Sequence, residues 1–304
     1  MNNLLPLMQR EWLQHRFAWA MLVLVPLALS LSVLTVGTIQ LDDDMMAMQP
    51  RELSLMLAML SMVITAAVML LLLGITSLFI ALGSPRRDDG DRSIEFWLSL
   101  PSGHAESLVA PMLVHLLLVP AAALLVGFVA AVPVSMVVVG RVVGFGEWLT
   151  LPWGQIITSV TALMLRGVAG VPLALLWLLP LVLAAMLSNA LFRRWGLPLL
   201  VVALGLLAQG LERVFGQPLL TEALSALLAH AATSMAGASG GASMQVDGNA
   251  ALIESVSRLP GWALRDFGAA LRDLAQPLLA GSLALAGALF AALLVWRRRG
   301  ASVA

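Results

Sequence analysis

"LSLMLAMLSMVITAAVMLLLLGITSLFIAL", Leu53 to Leu82, runs without one charged residue. A helix needs roughly 20 apolar residues to cross a hydrocarbon core about 30 Å thick, and this run is longer than that. The whole chain has the same character. It is 60% hydrophobic and 11% charged, with a mean hydropathy of +0.95, whereas soluble domains sit near roughly 45–50% and 25%. The sequence therefore reads as an all-α, polytopic membrane protein.

Working outward from that run, five more segments are expected to span. They are Phe17 to Ile39, Ser107 to Gly140, Val168 to Leu191, Gly196 to Leu211 and Pro277 to Trp296. The segment from Ser107 to Gly140 exceeds a bilayer and carries Pro111, Pro120 and Pro133, so tilting or kinking is expected. Six spans place both termini on one side. Arginine placement makes that side the cytoplasm: Arg10, Arg16, Arg86, Arg87, Arg92, Arg193, Arg194, Arg297, Arg298 and Arg299 fall there, as the positive-inside rule requires. The short outer loops then hold Arg51, Arg141 and Arg166. The first apolar run is too long for a cleavable signal and lacks a small-residue cleavage site. No internal repeat or soluble domain is expected, so residues 1–304 read as a single membrane domain.

Two polar stretches are expected to be helical outside the spans. In "LPLMQREWLQHRFAW", Leu5, Met8, Trp12 and Trp19 repeat at helical spacing, with Gln9, Arg10, Gln14 and Arg16 elsewhere. This suits an amphipathic helix (1–16) in the interface plane. The outer segment between spans five and six (212–276) reads helix, Gly/Ser loop, helix. One apolar stripe is Leu220, Ala223, Leu224, Leu227 and Leu228. The other is Leu264, Phe267, Leu271 and Leu274, expected to be buried, with Arg265, Asp266, Arg272 and Asp273 opposite.

Several chemistries are excluded or disfavoured. Net charge is zero, so no basic surface points to nucleic acid. There is no cysteine, hence no disulfide or thiolate site. All 17 cationic residues are arginine, and a P-loop needs a lysine at the phosphates. "GASGG" (Gly237 to Gly241) fits a loose serine-nucleophile pattern, but no histidine follows it and a linker is expected. His104 and Glu106 form an H-x-E without the cysteine pair that zinc deaminases use. The four histidines show no paired spacing, so no metal site is expected. Asp42 to Asp44 read as a solvated acidic turn. His115 is the only ionisable group inside the spans as drawn, expected to bond a neighbouring helix. That scarcity argues against ion coupling and for an apolar or amphipathic cargo.

The remaining charged stretch is cytoplasmic, "SPRRDDGDRSIEFWLSLPSGHAES" (84–107). Together with "REWLQHR" near the N-terminus, the extended outer segment and "LPLVLAAMLSNALFRRWG", it resembles the permease subunits of type-2 ATP-binding-cassette (ABC) exporters. The topology resemblance covers the chain. The most specific local likeness is "SIEFWLSLP", Ser93 to Pro101, similar to a Phe-Trp-x-Ser-Leu-Pro stretch of one bacterial branch. The resemblance implies a dimer of permeases with two copies of a cytoplasmic ABC ATPase, which bind the ATP and magnesium; no cofactor is implied in this chain. It implies a multi-pass protein of the bacterial inner membrane, and contact between the ATPase and both the N-terminal helix (Arg10, Glu11, Trp12, His15, Arg16) and the first cytoplasmic loop (83–106). In that loop Ile94 to Leu100 would form a coupling helix anchored by Phe96 and Trp97, since large aromatics dominate binding hot spots. Asp88, Asp89, Asp91, Arg92 and Glu95 would set its register, with Arg86 and Arg87 near anionic lipid head groups. An ion-coupled transporter and a non-transporting assembly or sensor subunit are the alternative functions.

Overall fold

The apolar runs fold as helices that extend well past the expected span limits. The computed structural model describes residues 4–90, 104–239 and 249–301, and no strand occurs among them. Helix α1 is Leu4–Val36, a short α2 is Asp43–Met46, and α3 is Pro50–Gly90. Helix α4, His104–Met112, continues through a π-helical turn at Leu113–Leu118 into α5, Val119–Val142. After a short α6 (Phe145–Leu149), α7 runs Trp153–Phe192 and passes through a 3-10 turn, Arg193–Trp195, into α8, Gly196–Phe215. Helices α9 (Leu219–Met235), α10 (Asn249–Asp273) and α11 (Pro277–Ala301) complete the chain order.

Five helical stretches among the described residues are long and apolar enough to cross a membrane: Leu4–Val36, Pro50–Arg86, Ala105–Val142, Trp153–Phe215 and Pro277–Arg298. The fourth contains both α7 and α8. In lipid every backbone polar group must be satisfied within the protein, and long helices do this. The chain is thus a multi-pass helical membrane protein. Its outward surface agrees, because large apolar side chains such as Leu29, Val33, Leu71, Val129, Val201 and Leu206 are exposed along the helices. Such patches are foreign to monomeric soluble proteins.

Helix α7 is central. It packs against α3, α5, α8, α9, α10 and α11, and Trp177, Ile156 and Met186 on it are fully buried. The most extensive pairing of two helices is α3 with α5, made possible by Gly127. A methyl group there would stand 2.8 Å from the Ala66 Cα, so the two backbones meet at this point. One apolar core joins Leu55, Ala58 and Met62 of α3 to Val139, Ile156, Val160, Val256 and Leu259. A second, at the other end, joins Ala81 and Leu82 to Leu108, Leu183, Met186 and Leu293. Arg141 secures the first end by donating to the carbonyls of Leu34, Thr35 and Gly37, groups that the last turn of a helix leaves without partners.

Three expectations need correction. No break separates residues 4–16 from the first span: α1 is one helix from Leu4 to Val36. Its N-terminal turns therefore continue the first apolar helix and do not form a separate element across it. The face directed into the protein carries Leu7, Glu11 and Trp19, while Leu5 and Trp12 are exposed. Arg166 is not in an outer loop, because α7 begins at Trp153 and buries it. The stripes of α10 are also exchanged. Leu252, Val256, Leu259, Ala263, Asp266 and Ala270 are buried, whereas Leu264 is 75% exposed and Leu271 45%. Small alanines let α10 approach α7 closely, and Asp266 is compensated there by partners described below. Leu274 and Phe267 are half-buried.

The α3–α5 contact yields a direct test. Gly127→Ala forces a methyl group against backbone and is expected to destabilise by about 1–3 kcal/mol, as overpacking does. Gly74→Ala, where nothing lies within 4 Å, is expected to be neutral or slightly stabilising in thermal unfolding in detergent.

Candidate functional site

Two buried polar clusters lie toward opposite ends of the bundle. The first joins α7 to α9 and α10. The Arg166 guanidinium donates from Nε and Nη2 to Asp266 Oδ2, at 2.9 and 2.8 Å. Nη1 of the same group donates to the Ser234 carbonyl at 2.7 Å, and Nη2 reaches that of Thr233 at 3.4 Å. One arginine thus pairs a carboxylate and caps the end of α9, where carbonyls lack helical partners and the dipole favours a cation. Gly170 allows α9 this close: a methyl group there would lie 2.6 Å from the Ser234 oxygen.

Asp266 accepts further hydrogen bonds. The Ser239 N–H and hydroxyl donate to Oδ1 at 2.7 and 2.8 Å, and the Gly237 N–H donates to Oδ2 at 3.2 Å. Burial works to raise its pKa, but the donors from Ser239, Gly237 and Arg166 outweigh it and hold the carboxyl below the usual carboxylate range. Ser239 is therefore a ligand of Asp266, and the residues 236–239 that read as linker are docked on α10. Nearby, His230 Nδ1 lies 2.6 Å from Asp273 Oδ2, and its ring stacks on Trp177 with centroids 4.4 Å apart. Ser159 adds a bond from its hydroxyl to the Val256 carbonyl at 2.7 Å. These bonds hold α9 and α10 on α7.

The second cluster joins α1 to the π-helical turn. His115 is fully buried, and its Nε2 lies 3.2 Å from Oε2 of Glu11, itself only 3% exposed. His15 follows Glu11 by one helical turn, and its ring meets that of His115 edge-on at 5.4 Å. Trp19 closes the group, 5.9 Å from His115 and 6.2 Å from His15. Donor atoms of Glu11, His15 and His115 all lie within 4.8 Å of one another. The widened turn sits between Pro111 and Pro120, each of which removes a backbone donor from the ladder; π-turns recur where a side chain is displayed for a purpose. His115 does bond a neighbouring helix, as expected, but through a carboxylate.

The charged stretch 84–107 is only partly described. Arg86, Arg87, Asp88 and Asp89 fall in the last turns of α3, which ends at Gly90; Asp91, Arg92, Glu95, Phe96 and Trp97 lie outside the described residues. Arg86 shares a groove of about 430 Å³ with Arg193, Arg194 and Asn189, and the Asn189 side chain donates to the Leu82 carbonyl at 3.2 Å. Arg10, Trp12 and Arg16 are on α1 with Glu11 and His15, but only the last two enter the buried cluster. Along that helix Leu5, Met8, Trp12, Leu13, Val114 and Leu125 help line an almost wholly apolar groove of about 690 Å³.

Sequence reasoning missed Arg166 and Asp266. Extending the fourth span back to Trp153 would have enclosed Arg166, and the spacing Leu252, Val256, Leu259, Ala263, Asp266, Ala270 would have placed the carboxylate inward. No family model, curated protein or solved structure matches the chain.

Removing one partner of a buried ion pair leaves an uncompensated charge and typically costs about 3–5 kcal/mol. Asp266→Asn is expected to lower stability by that order in detergent unfolding. Because the Asp266 pKa is lowered, the pair's contribution is complete above about pH 4 and is lost as pH falls through the lowered value. The difference between wild type and Asp266→Asn should hence be constant from roughly pH 8 to 5 and shrink only in stronger acid.

Proposed function

We propose that the chain is the membrane-spanning permease subunit of an ABC exporter, working as a dimer with two cytoplasmic ATPase subunits in a bacterial inner membrane. Six crossings, with α7 and α8 counted separately and both termini cytoplasmic, are part of this reading. The observation that carries it is where α3 ends and α4 begins, on either side of residues 91–103, which hold "RSIEFWLSLP". They connect α3 to α4 at the end of the bundle where Arg86, Arg193 and Arg194 gather, the end that faces the cytoplasm under the positive-inside rule. The ATPase docks there, through Glu95, Phe96 and Trp97 and the neighbouring charges. At the other end α9 and α10 form an outer cap. The apolar groove beside α1 and the exposed apolar faces of α1 and α8 suit a hydrophobic or amphipathic cargo and a second permease. No lysine is present to cradle nucleotide phosphates, which assigns ATP hydrolysis to the partner.

A second reading has one observation in its favour. Arg166, Asp266, Glu11 and His115 are buried ionisable groups, and such groups within a helical bundle are the usual equipment of ion-coupled transporters. The argument from their scarcity therefore no longer weighs against ion coupling. Co-expression with a cassette ATPase encoded by a neighbouring reading frame separates the two. The exporter requires a stable complex whose ATP turnover depends on lipid or detergent, and no turnover by the permease alone. Glu95→Arg, or Phe96→Ala with Trp97→Ala, is expected to insert normally while losing the ATPase on co-purification. Variants that keep the ATPase and transport at wild-type rates would reject the docking role, and vesicle uptake driven by an ion gradient without ATPase would favour the second reading.

A further inference from the structure

We propose that Glu11, His15 and His115 form a binding site for a divalent transition-metal cation, zinc in particular, that clasps α1 to the π-helical turn. The inference does not depend on the transport reading. Glu11 and His15 are separated by one helical turn and project from the same face, the arrangement by which helices present paired ligands. His115 supplies the third ligand from the facing helix. A carboxylate with two imidazoles is a donor set that zinc takes when it keeps a fourth position open, and the chain has no cysteine to supply a thiolate in its place.

The grouping of the three side chains is what a shared cation needs: their ligand atoms all lie within 4.8 Å of one another. His115 Nε2 and Glu11 Oε2 are 3.2 Å apart. Two ligands at about 2.0–2.1 Å from one tetrahedral zinc stand roughly 3.3 Å apart, so this pair is already at ligand spacing. The set as a whole, within 4.8 Å, would draw inward on the ion. The other ring nitrogen of His115, Nδ1, is buried without a hydrogen-bond partner. A cation held by Nε2, the Glu11 carboxylate and the His15 ring leaves Nδ1 unchanged; the grouping of the three ligand atoms is what fits the ion. The site also has a mechanical consequence. Leu7, Glu11 and Trp19 are the buried residues of α1, so a metal at Glu11 would fix much of what attaches that helix to the bundle.

The test uses the full chain, purified in detergent, stripped with a chelator and titrated with zinc against a chromophoric competitor. One zinc per chain is expected, and cobalt in its place should show the intense visible bands of a four-coordinate ion. His15→Ala, Glu11→Gln and His115→Ala should each weaken zinc binding by more than about 100-fold, beyond the roughly 10–100-fold that loss of an outer-shell partner brings. His230→Ala, in the other cluster, should retain it. If His115→Ala does not fold, His15→Ala decides the matter, because that ring is only partly buried. Stripped wild-type protein that takes up less than one zinc, or binds it no more tightly than His15→Ala, overturns the proposal.

Discussion

The Arg166–Asp266 ion pair sets the terms on which α9 and the amphipathic α10 join the bundle. Desolvating two charges is expensive, by several kcal/mol each, and attraction alone does not always offset it. Here both groups are saturated. The guanidinium spends its remaining donors on the last carbonyls of α9, and the carboxylate collects the backbone and hydroxyl of Ser239 and the backbone of Gly237. The pair therefore joins three elements and orders the turn that leaves α9. Gly170 is part of the same design, since any side chain there would hold α9 away from the arginine.

Around that point the helices obey the demands of lipid. Long, unbroken helices satisfy their own backbones, and the prolines at 26, 85, 111, 133, 172, 180 and 260 are absorbed within them. Serine and threonine hydroxyls return to carbonyls one turn back, as with Ser54, Thr65 and Thr76. The one described departure to a π-helical turn presents His115 to α1. Two of the places where charge enters the bundle are thus junctions between elements, Glu11 with His115 at one and Arg166 with Asp266 at the other.

Fold class was legible in composition and in the uninterrupted run from Leu53 to Leu82, because hydrocarbon tolerates so few alternatives. The helices Leu219–Met235 and Asn249–Asp273 were legible too, through their period. Span limits were not. Charge was used as a boundary, so Arg166 was placed in a loop, although a buried arginine with a carboxylate partner is compatible with a helix. The same rule sent Asp266 to the exposed face of α10 and Leu264 inward; the actual order follows from small residues at Ala263 and Ala270 and from partners more than twenty residues away in sequence. Likewise, the sequence offers Glu11 and His15 only as contact residues of the N-terminal helix, because their partner, His115, is about a hundred residues distant. Long-range pairing of this kind leaves no local periodicity to read.

The central claim is that Arg166 and Asp266 act on each other and that their pairing holds α9–α10 to α7. A double-mutant cycle with Arg166→Met and Asp266→Leu, read by unfolding in lipid nanodiscs, addresses it most directly. Each single change should be strongly destabilising, and the double variant should recover much of the loss, because paired apolar replacements remove both desolvation costs at once; a coupling of about 0.5–3 kcal/mol is expected for residues in contact. Additive losses, with the double variant as unstable as the two singles combined, would contradict the account.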